Sequence, residues 1–406
     1  MKQRLKPVVF ITLIFLSSSL WAQDLGLLLE QNGNYDVRGD EWAEGKYSYS
    51  GILIPRLSVL LGDNGEFFLN AGLRYRINPL AYVPELLRTE LIMRIGIGEF
   101  KMGRMPYQDP MGIIAAGLFD GMQFSLDSRA GTLSAGCWYT GLLYKERANI
   151  AMTDDELQSN YFPVDYNDFM NTYFAPRRIL SSLGWEHPAL GGLFDIKLAL
   201  LGQFDMTEAD VNTQYFSVKI AIPSRFFIFD VGGCVELFGL PSEYADDFNM
   251  ALAAETGLTW ILPTRLTKHI SLRGRFSSGV IKDKPIVAFL PLSTIPQGEL
   301  LEVKFSGLSI ISLNFLARLH RTLSTDLSAS CFVRSDLGTY ANYPVIGVDS
   351  NGYFLGTELS WQFTCSLSSG IQMNPGIGVF LPSLGDAAPK ADMLWRAELN
   401  LLLSLF

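Results

Sequence analysis

The sequence predicts an all-β fold, a single transmembrane antiparallel β-barrel of about 18 strands. Apolar and polar residues alternate in short segments along the whole chain, and helical spacing of apolar residues is scarce. Between these segments, turns of a few residues alternate with loops of about 9 to 30 residues. This alternation is typical of a membrane barrel, whose hairpins have short turns at one end and long loops at the other.

The N-terminal residues have the pattern of a secretory signal peptide. Basic residues occur at Lys2, Arg4 and Lys6. An apolar run over 8–16 and three serines lead to Ala22, after which cleavage is expected. Beyond Ala22 there is no run of about 18 apolar residues, so no membrane helix is predicted. The chain therefore divides into a signal peptide at 1–22 and a barrel at 23–406.

The alternating pattern places strands along the rest of the chain. They are predicted at 25–30, 50–61, 67–77, 87–97, 100–105, 118–126, 132–143, 177–186, 193–204, 214–222, 226–237, 250–261, 266–277, 301–316, 326–334, 353–363, 367–380 and 392–406. Strands of about 9 to 15 residues are long enough to cross a bilayer. No repeat of about 40 residues indicates a propeller.

The polar faces of these strands distinguish a membrane barrel from a soluble sandwich. A sandwich shows the same alternation with its apolar side inward. Here Gly, Ser and Arg recur on the polar faces, as a water-filled lumen requires. The apolar faces are therefore expected to contact lipid. Residues predicted to face lipid are Leu272, Phe276, Trp361, Leu399 and Leu401.

Composition and motifs argue against several functions. The formal net charge is -9 and no long basic stripe occurs, which disfavours a nucleic-acid partner. The cysteines at 137, 234, 331 and 365 are widely separated, so they indicate neither a zinc site nor a redox motif. The three histidines, His187, His269 and His320, lie near predicted turns or strand ends, without the spacing of a catalytic or metal site. Neither an enzyme nor a cofactor is predicted.

Charged residues on the polar faces are the candidate functional residues, because inward charges set the selectivity of pores. The predicted lumen charges are Arg74, Arg76, Arg88, Glu90, Arg94, Lys101, Arg104, Glu255, Arg273, Arg275, Glu358, Arg396 and Glu398. Arg104 has the opposite parity from Lys101, and it turns inward only if Gly103 marks a bulge. The alternative is that these charges pair with one another and fill the lumen without a ligand role.

Four of these arginines predict a basic wall. They are Arg74 and Arg76 on one strand and Arg88 and Arg94 on the next. Pairing through a loop at 78–86 places Arg76 nearer Arg88 than Arg94. Glu90 is the one acid expected beside them, so the pore is expected to favour anions.

Two long loops are candidates to narrow the pore. The loop at 144–176 is rich in acidic and aromatic residues, and the loop at 278–300 is too apolar to extend into water. Each is expected either to fold into the mouth of the barrel or to pack on a neighbouring protomer.

Short segments of the chain resemble known barrels. The segments 355–359 and 376–382 resemble the last hairpin of alginate-export-type and related porin-like outer-membrane barrels. The segments 102–106 and 119–121 resemble the same family. The resemblance covers the whole chain in its hairpin rhythm and only these stretches in residues. It implies an 18-stranded barrel that moves an anionic saccharide through an arginine-lined pore.

The predicted function is a porin-like channel in the bacterial outer membrane for small polar solutes, with anionic or saccharide-like solutes as candidates. The alternative is a structural or adhesive surface barrel with a plugged lumen and ligand-binding loops. A fatty-acid-type transporter needs an N-terminal plug, but Gln23 and Asp24 alone separate the predicted signal from the first strand. Expected partners are outer-membrane lipid, small solutes and the outer-membrane assembly machinery, while a homo-oligomer stays open. Phe406 resembles the terminal aromatic residue that this machinery reads, although it shares parity with polar Ser404.

Overall fold

The structure is a computed structural model. It describes residues 22–39, 44–77, 80–207, 211–239, 249–264, 268–280, 286–337 and 351–405. The signal-peptide prediction for 1–21 and the terminal aromatic signal at Phe406 lie outside the described residues.

The described residues contain 18 antiparallel strands in one closed barrel. They are β1 (Ala22–Arg38), β2 (Lys46–Leu61), β3 (Gly65–Ile77), β4 (Ala81–Ile95), β5 (Gly98–Gln108), β6 (Ala116–Ser128), β7 (Gly131–Tyr139), β8 (Arg178–Leu190), β9 (Phe194–Asp205), β10 (Asn212–Pro223), β11 (Phe227–Gly239), β12 (Asn249–Ile261), β13 (Lys268–Ser277), β14 (Leu308–His320), β15 (Leu323–Arg334), β16 (Phe354–Ser368), β17 (Ile371–Leu381) and β18 (Leu394–Leu405). Each strand pairs with its neighbours in the chain, and β1 pairs with both β2 and β18, which closes the sheet. The predicted fold is confirmed.

Short helices occur in two of the long connections. They are α1 (Lys145–Ala148), α2 (Asp154–Tyr161) and α3 (Phe169–Thr172), with 3₁₀ turns at Tyr166–Asp168 and Pro382–Leu384. The start of α2 is fixed by a capping box, in which the Thr153 hydroxyl accepts from the Glu156 N–H and the Glu156 carboxylate accepts from the Thr153 N–H. Among the described residues, no helix is both long and apolar enough to cross a membrane.

Apolar side chains cover the outer face of the barrel because every second residue of a strand points outward. On β3, Leu73 and Ile77 are exposed on this face, whereas Arg74 and Arg76 have the inward parity. Of the residues predicted to face lipid, Leu272, Phe276, Trp361 and Leu399 are exposed, and Leu401 is half-buried on the same face as Leu399. Their contact with lipid stays a prediction.

Among the strands that extend beyond their predicted bounds, β1 and β4 do so because their polar or Pro-containing ends belong to the wall. β1 continues past Glu30 to Arg38, and its polar Asn32 and Asn34 have the inward parity. β4 begins at Ala81 instead of residue 87 and includes Pro84. Pro84 is tolerated because β4 pairs with β5 only from Thr89 onward, so the missing N–H has no partner on that side.

Segments of four long connections fold into the barrel and together form what we call the plug. It consists of residues 109–115, 140–177, 286–307 and 382–393. Its fully buried apolar side chains include Ile114, Ile150, Phe289, Leu301 and Phe305. They form one cluster with inward side chains of the wall, among them Trp138, Leu180, Phe332 and Phe380. The loop expected at 144–176 and the described residues 286–300 of the loop expected at 278–300 thus fold into the mouth. Residues 301–307, predicted as strand, belong to the plug.

Charged and polar side chains of the wall hold the plug in place. On β11, the Glu236 carboxylate accepts from the Leu290 N–H at 2.8 Å, while the hydroxyl of Tyr215 on β10 donates to the Leu290 carbonyl at 2.7 Å. The fully buried Arg178 of β8 forms an ion pair with Glu156 of α2 at 2.5 Å. These contacts satisfy polar groups that burial in the plug removes from water.

The plug also contains a self-contained turn at 109–115. The Asp109 carboxylate accepts from the backbone N–H groups of Met111, Gly112, Ile114 and Ala115 at 2.9 to 3.0 Å. Burial raises the pKa of Asp109, and the four donors oppose this rise because they stabilise the charged form. These four backbone N–H groups therefore find their acceptor within the turn itself.

We predict that Leu399→Arg destabilises the barrel by about 2–4 kcal/mol, because it places a charge on the outer face near the middle of β18. The matched control is Asn400→Arg, one residue along and on the inward face. The free energies of unfolding of the two variants are compared by titration with urea. The heat-dependent shift in electrophoretic mobility detects the folded barrel at each urea concentration. Equal stabilities of both variants would show that the inward and outward faces of β18 are assigned wrongly.

Candidate functional site: the lumen

A series of cations follows the inner face of β2 to β5, and we call it the basic wall. Its members are Arg56, Arg74, Arg76, Arg88, Arg94 and Lys101, all with the inward parity. Arg76 lies near the long-loop end of β3, and Arg94 lies at the short-turn end, where its N–H donates to the Asn64 carbonyl at 2.8 Å. The basic wall therefore extends from one end of the lumen to the other.

The spacing of these cations differs from the predicted one, because β4 starts six residues earlier than the sequence indicates. Arg76 is opposite Ala81, and Arg88 is opposite Asn70, six residues below Arg76 on β3. The like charges on neighbouring strands are thus staggered along the wall, which lowers their mutual repulsion. Arg76 remains nearer to Arg88 than to Arg94 in the register.

Acids of the lumen pair with the basic wall more extensively than predicted. Glu85, expected in a loop, lies on β4 and pairs with Arg74. Glu146 of α1 pairs with Arg76. Glu90 pairs with Arg88 as expected. At the short-turn end, Glu99 accepts from Lys101 at 2.8 Å and from Arg94 at 3.4 Å.

The two members of each pair differ in exposure. The Glu85 side chain is 1% exposed and that of Arg74 is 22% exposed. Glu90 and Arg88 are 3% and 31% exposed. In these two pairs the guanidinium group is the more exposed partner, whereas Glu146 and Glu99 are 22% and 29% exposed beside their cations.

A second basic group lies across the lumen on β10 to β13. Glu255 is buried between Lys219, at 2.7 Å, and Arg275, at 3.5 Å. Arg273 is exposed to the lumen, and no ion pair of Arg273 is present among the described side chains. Here too the acid is buried and the cations reach toward the lumen.

Arg104 differs from the expectation of an inward turn. Gly103 does have a positive φ of 116°, and a Cβ there would lie 1.8 Å from the Thr89 carbonyl oxygen. The β5 ladders show no register shift at this point, so Arg104 keeps the outward parity of Met102. It therefore does not join Lys101 on the lumen face.

Arg104 instead bridges the place where β4 and β5 stop pairing. Its guanidinium forms a bidentate ion pair with Asp120 of β6, at 2.9 and 2.7 Å. It also donates to the carbonyl oxygens of Leu86 at 2.5 Å and of Leu142 at 2.8 Å. These donors satisfy backbone acceptors that a continued strand ladder would otherwise have satisfied.

Glu358 has the inward parity, but its carboxylate is buried and binds the plug. Oε1 accepts from the Glu299 N–H at 2.8 Å, and Oε2 accepts from the N–H groups of Leu300 and Leu301 at 3.0 and 3.1 Å. Burial raises the pKa of Glu299 beside it. Glu358 thus anchors the plug segment.

Arg396 and Glu398 follow on the inner face of β18. Arg396 pairs with Asp36 of β1 and Glu302 of the plug, each at 2.6 Å, so it ties the plug to the wall. Glu398 accepts from the Gln362 side chain at 3.0 Å. In the Arg396 cluster the acids are the more exposed partners, the reverse of the basic wall.

Neutral hydrogen-bonding side chains line the wall from β14 to β16. Ser312 bonds Ser330 at 2.8 Å, and Ser328 bonds Ser360 at 2.6 Å. With Arg273, Arg275 and part of the plug they surround a cavity of about 340 Å³. Small hydroxyl side chains keep this part of the lumen wide and polar.

Sequence reasoning missed Lys219, which pairs with Glu255, and two further cations of the lumen. Arg56 shares the inward parity with Ser50, but Ile52 and Ile54 between them are also inward, which hid the polar face of β2. Arg147 belongs to α1 in the plug and contacts Glu85 at 3.3 Å. The alternation of a strand gives no signal for a loop residue that folds back into the barrel. The pore-lining role of all these residues stays a prediction.

Comparisons with known proteins identify the fold. Neither a protein-family model nor a curated protein matches the chain. Among solved structures it is similar to OccD3 (OpdP) of Pseudomonas aeruginosa, with a TM-score of 0.60, 13% identity and coverage of 95% of this chain and 92% of that one. For the outer-membrane protein OprD of the same organism the values are 0.58, 12%, 95% and 95%.

A further similar structure, OccK2 (OpdF) of Pseudomonas aeruginosa in complex with glucuronate, has a TM-score of 0.59, 12% identity and coverage of 95% of this chain and 100% of that one. These likenesses support the porin-type part of the predicted resemblance, and the fold agrees with the predicted location in a bacterial outer membrane. The alginate-export specificity stays a prediction.

We predict that Glu358→Ala loosens the plug, because the buried N–H groups of Leu300 and Leu301 lose their acceptor, which costs at least about 2 kcal/mol. Limited proteolysis of the folded barrel, with cleavage sites mapped by mass spectrometry, should show faster cutting within 286–307. Glu398→Ala removes a carboxylate of the same lumen that does not touch the plug backbone, and it should leave cleavage unchanged. Identical cleavage of both variants would contradict the anchoring role.

Proposed function

We propose that the protein is a channel of the bacterial outer membrane for small anionic, hydrophilic solutes, and not an enzyme. Lipid surrounds its apolar outer face, and the outer-membrane assembly machinery inserts it. The observation that carries the proposal is the charge arrangement of the basic wall. Two of its acids, Glu85 and Glu90, are buried beside Arg74 and Arg88, so the guanidinium groups of these pairs are the partners exposed to the lumen.

The physical consequence is a positive potential along the lumen, although the whole chain has a formal charge of -9. Inside a low-dielectric wall, exposed charges act on a passing ion more strongly than they do in bulk water. An anion can move between successive cations, because each holds it only partly dehydrated. The staggered spacing of Arg76, Arg74 and Arg88 along the wall fits such stepwise passage.

The solute class is narrowed by the neutral part of the lumen. Asn32, Ser50 and Asn400 line a cavity beside Arg74 and offer donors and acceptors without charge, which suits a hydroxyl-bearing solute. An acidic sugar derivative combines both features, a carboxylate for the basic wall and hydroxyls for these neutral side chains. The glucuronate complex of a structurally similar barrel supports this choice.

The second candidate function is a structural or adhesive surface barrel. The plug favours it, because one continuous apolar cluster joins the plug to inward side chains from β5 to β18. A tightly packed plug leaves little room for flow, and the long connections would then bind an external partner. Channel conductance separates the two functions.

We predict that the protein forms anion-selective channels in planar bilayers and that the triple change Arg74→Gln, Arg76→Gln and Arg88→Gln reduces this selectivity. The reversal potential under a salt gradient should move toward zero, because the exposed charge of the basic wall is removed.

The matched control removes three arginines from short turns, through Arg129→Gln, Arg225→Gln and Arg321→Gln, and should keep the parent value. The heat-dependent mobility shift verifies that each variant folds. Cation preference of the parent, or equal reversal potentials for both triple variants, would contradict the anion channel. A parent without conductance would favour the surface barrel.

A further inference from the structure

The plug does not cover the wall evenly. The main apolar cluster includes inward residues of β5 to β12 and of β14 to β18, but among the described residues it includes none from β1 to β4. On β4, Val83 contacts the plug through Tyr144 and Tyr173. The inner face of β1 to β3 is therefore the arc of the lumen that the apolar core of the plug leaves uncovered.

Ion pairs mark both edges of this uncovered arc. On one edge, Arg396 of β18 joins Glu302 of the plug. On the other edge, Glu146 and Arg147 of α1 reach Arg76 and Glu85 of the wall. At these edges the plug is attached to the wall by charged side chains and not by apolar packing. Water and ions therefore have access to the interface between the plug and the wall.

Two cavities lie in the same arc. A cavity of about 460 Å³ lies near the long-loop end, between Asp36, Lys46 and Glu302. A second cavity of about 360 Å³ lies farther into the barrel, lined by Ser50, Asn400 and other polar residues of β1, β2, β17 and β18. Their positions follow β1 from one end toward the middle of the lumen.

We propose that solutes pass through this arc, along the inner face of β1 to β3 and β18, and that Arg147 of the plug is a specificity-determining residue on this path. The proposal rests on the channel function proposed above. The path is off-centre because the apolar core of the plug occupies the rest of the long-loop half of the lumen. The cavity under β14 to β16 is not on it, since the plug residues Gln297 and Gly298 cover that cavity.

Arg147 is suited to this role because it lines the inner cavity from the plug side. Arg74 lines the same cavity from the wall, and both guanidinium groups share the single buried carboxylate of Glu85. A solute in the cavity therefore meets cations on two sides. Removal of Arg147 leaves Glu85 paired with Arg74, so the wall keeps its ion pair.

Thiol labelling tests the path. In a background with Cys137, Cys234, Cys331 and Cys365 changed to Ala, Ser50→Cys and Asn400→Cys place single thiols in the proposed path. Ser328→Cys places the matched thiol in the cavity under the plug. After reaction with the anionic reagent 2-sulfonatoethyl methanethiosulfonate, conductance should fall by about half or more at the first two positions and by about a tenth or less at Ser328.

A second measurement tests Arg147. The reversal potential under a salt gradient should move toward zero in Arg147→Gln, and it should change much less in the matched variant Arg273→Gln on the other side of the lumen.

The path is overturned if labelling at Ser328 blocks the current as strongly as labelling at Ser50 and Asn400, or if Arg273→Gln has the larger effect on selectivity. Absence of any current in the unlabelled parent overturns the channel function itself, and the path with it. If the parent conducts but the effects at Ser328 or Arg273 are the larger ones, the proposed path is overturned and the channel function is not. Mobility shifts on heating confirm that each labelled variant is a folded barrel.

Discussion

Closure of the strand ladder is the constraint on which the rest of the structure depends. In a bilayer no water is present to satisfy a free N–H or C=O, so a spanning sheet has to pair its last strand with its first. β1 does this with β18 over twelve residue pairs, from Leu27↔Leu405 to Arg38↔Leu394. At one place where neighbouring strands stop pairing, before Thr89 of β4, Arg104 bridges the gap. A side chain there takes over the role of backbone donors.

The closed wall determines how the lumen is filled. A barrel of this width encloses more space than its own inward side chains occupy. The long connections use that space, and buried charges tie two of the inserted segments to the wall, Glu236 and Glu358 at 286–307 and Arg178 at Glu156. The same connections would be too apolar to extend into water. When these segments fold into the lumen, they are buried and at the same time narrow the pore.

The fold was predictable from sequence because apolar and polar residues alternate along a strand wherever its two faces have different surroundings. In a membrane barrel these surroundings are lipid outside and water inside. The alternation fails where both faces are apolar, as on β2 at Ile52 and Ile54, and there Arg56 was missed. The candidate site was predictable as a set of inward arginines but not in its pairing. Glu85 was assigned to a loop because Pro84 precedes it, and Arg147 reaches the lumen through the fold of α1. Both depend on contacts between distant segments, which local periodicity does not encode.

The plug gives this barrel an interior that responds to temperature as a soluble protein does. Outward side chains such as Leu399 are expected to contact lipid, and their transfer from water would then happen once, at insertion. Phe289 and Phe305 of the plug are instead buried against one another inside the barrel, in an apolar cluster that does not contact lipid. Their burial is driven by the hydrophobic effect, whose strength falls on cooling. The plug should therefore pack less tightly against the barrel as the temperature falls, because the hydrophobic effect that holds it there weakens. The hydrogen-bonded wall around it should stay unchanged.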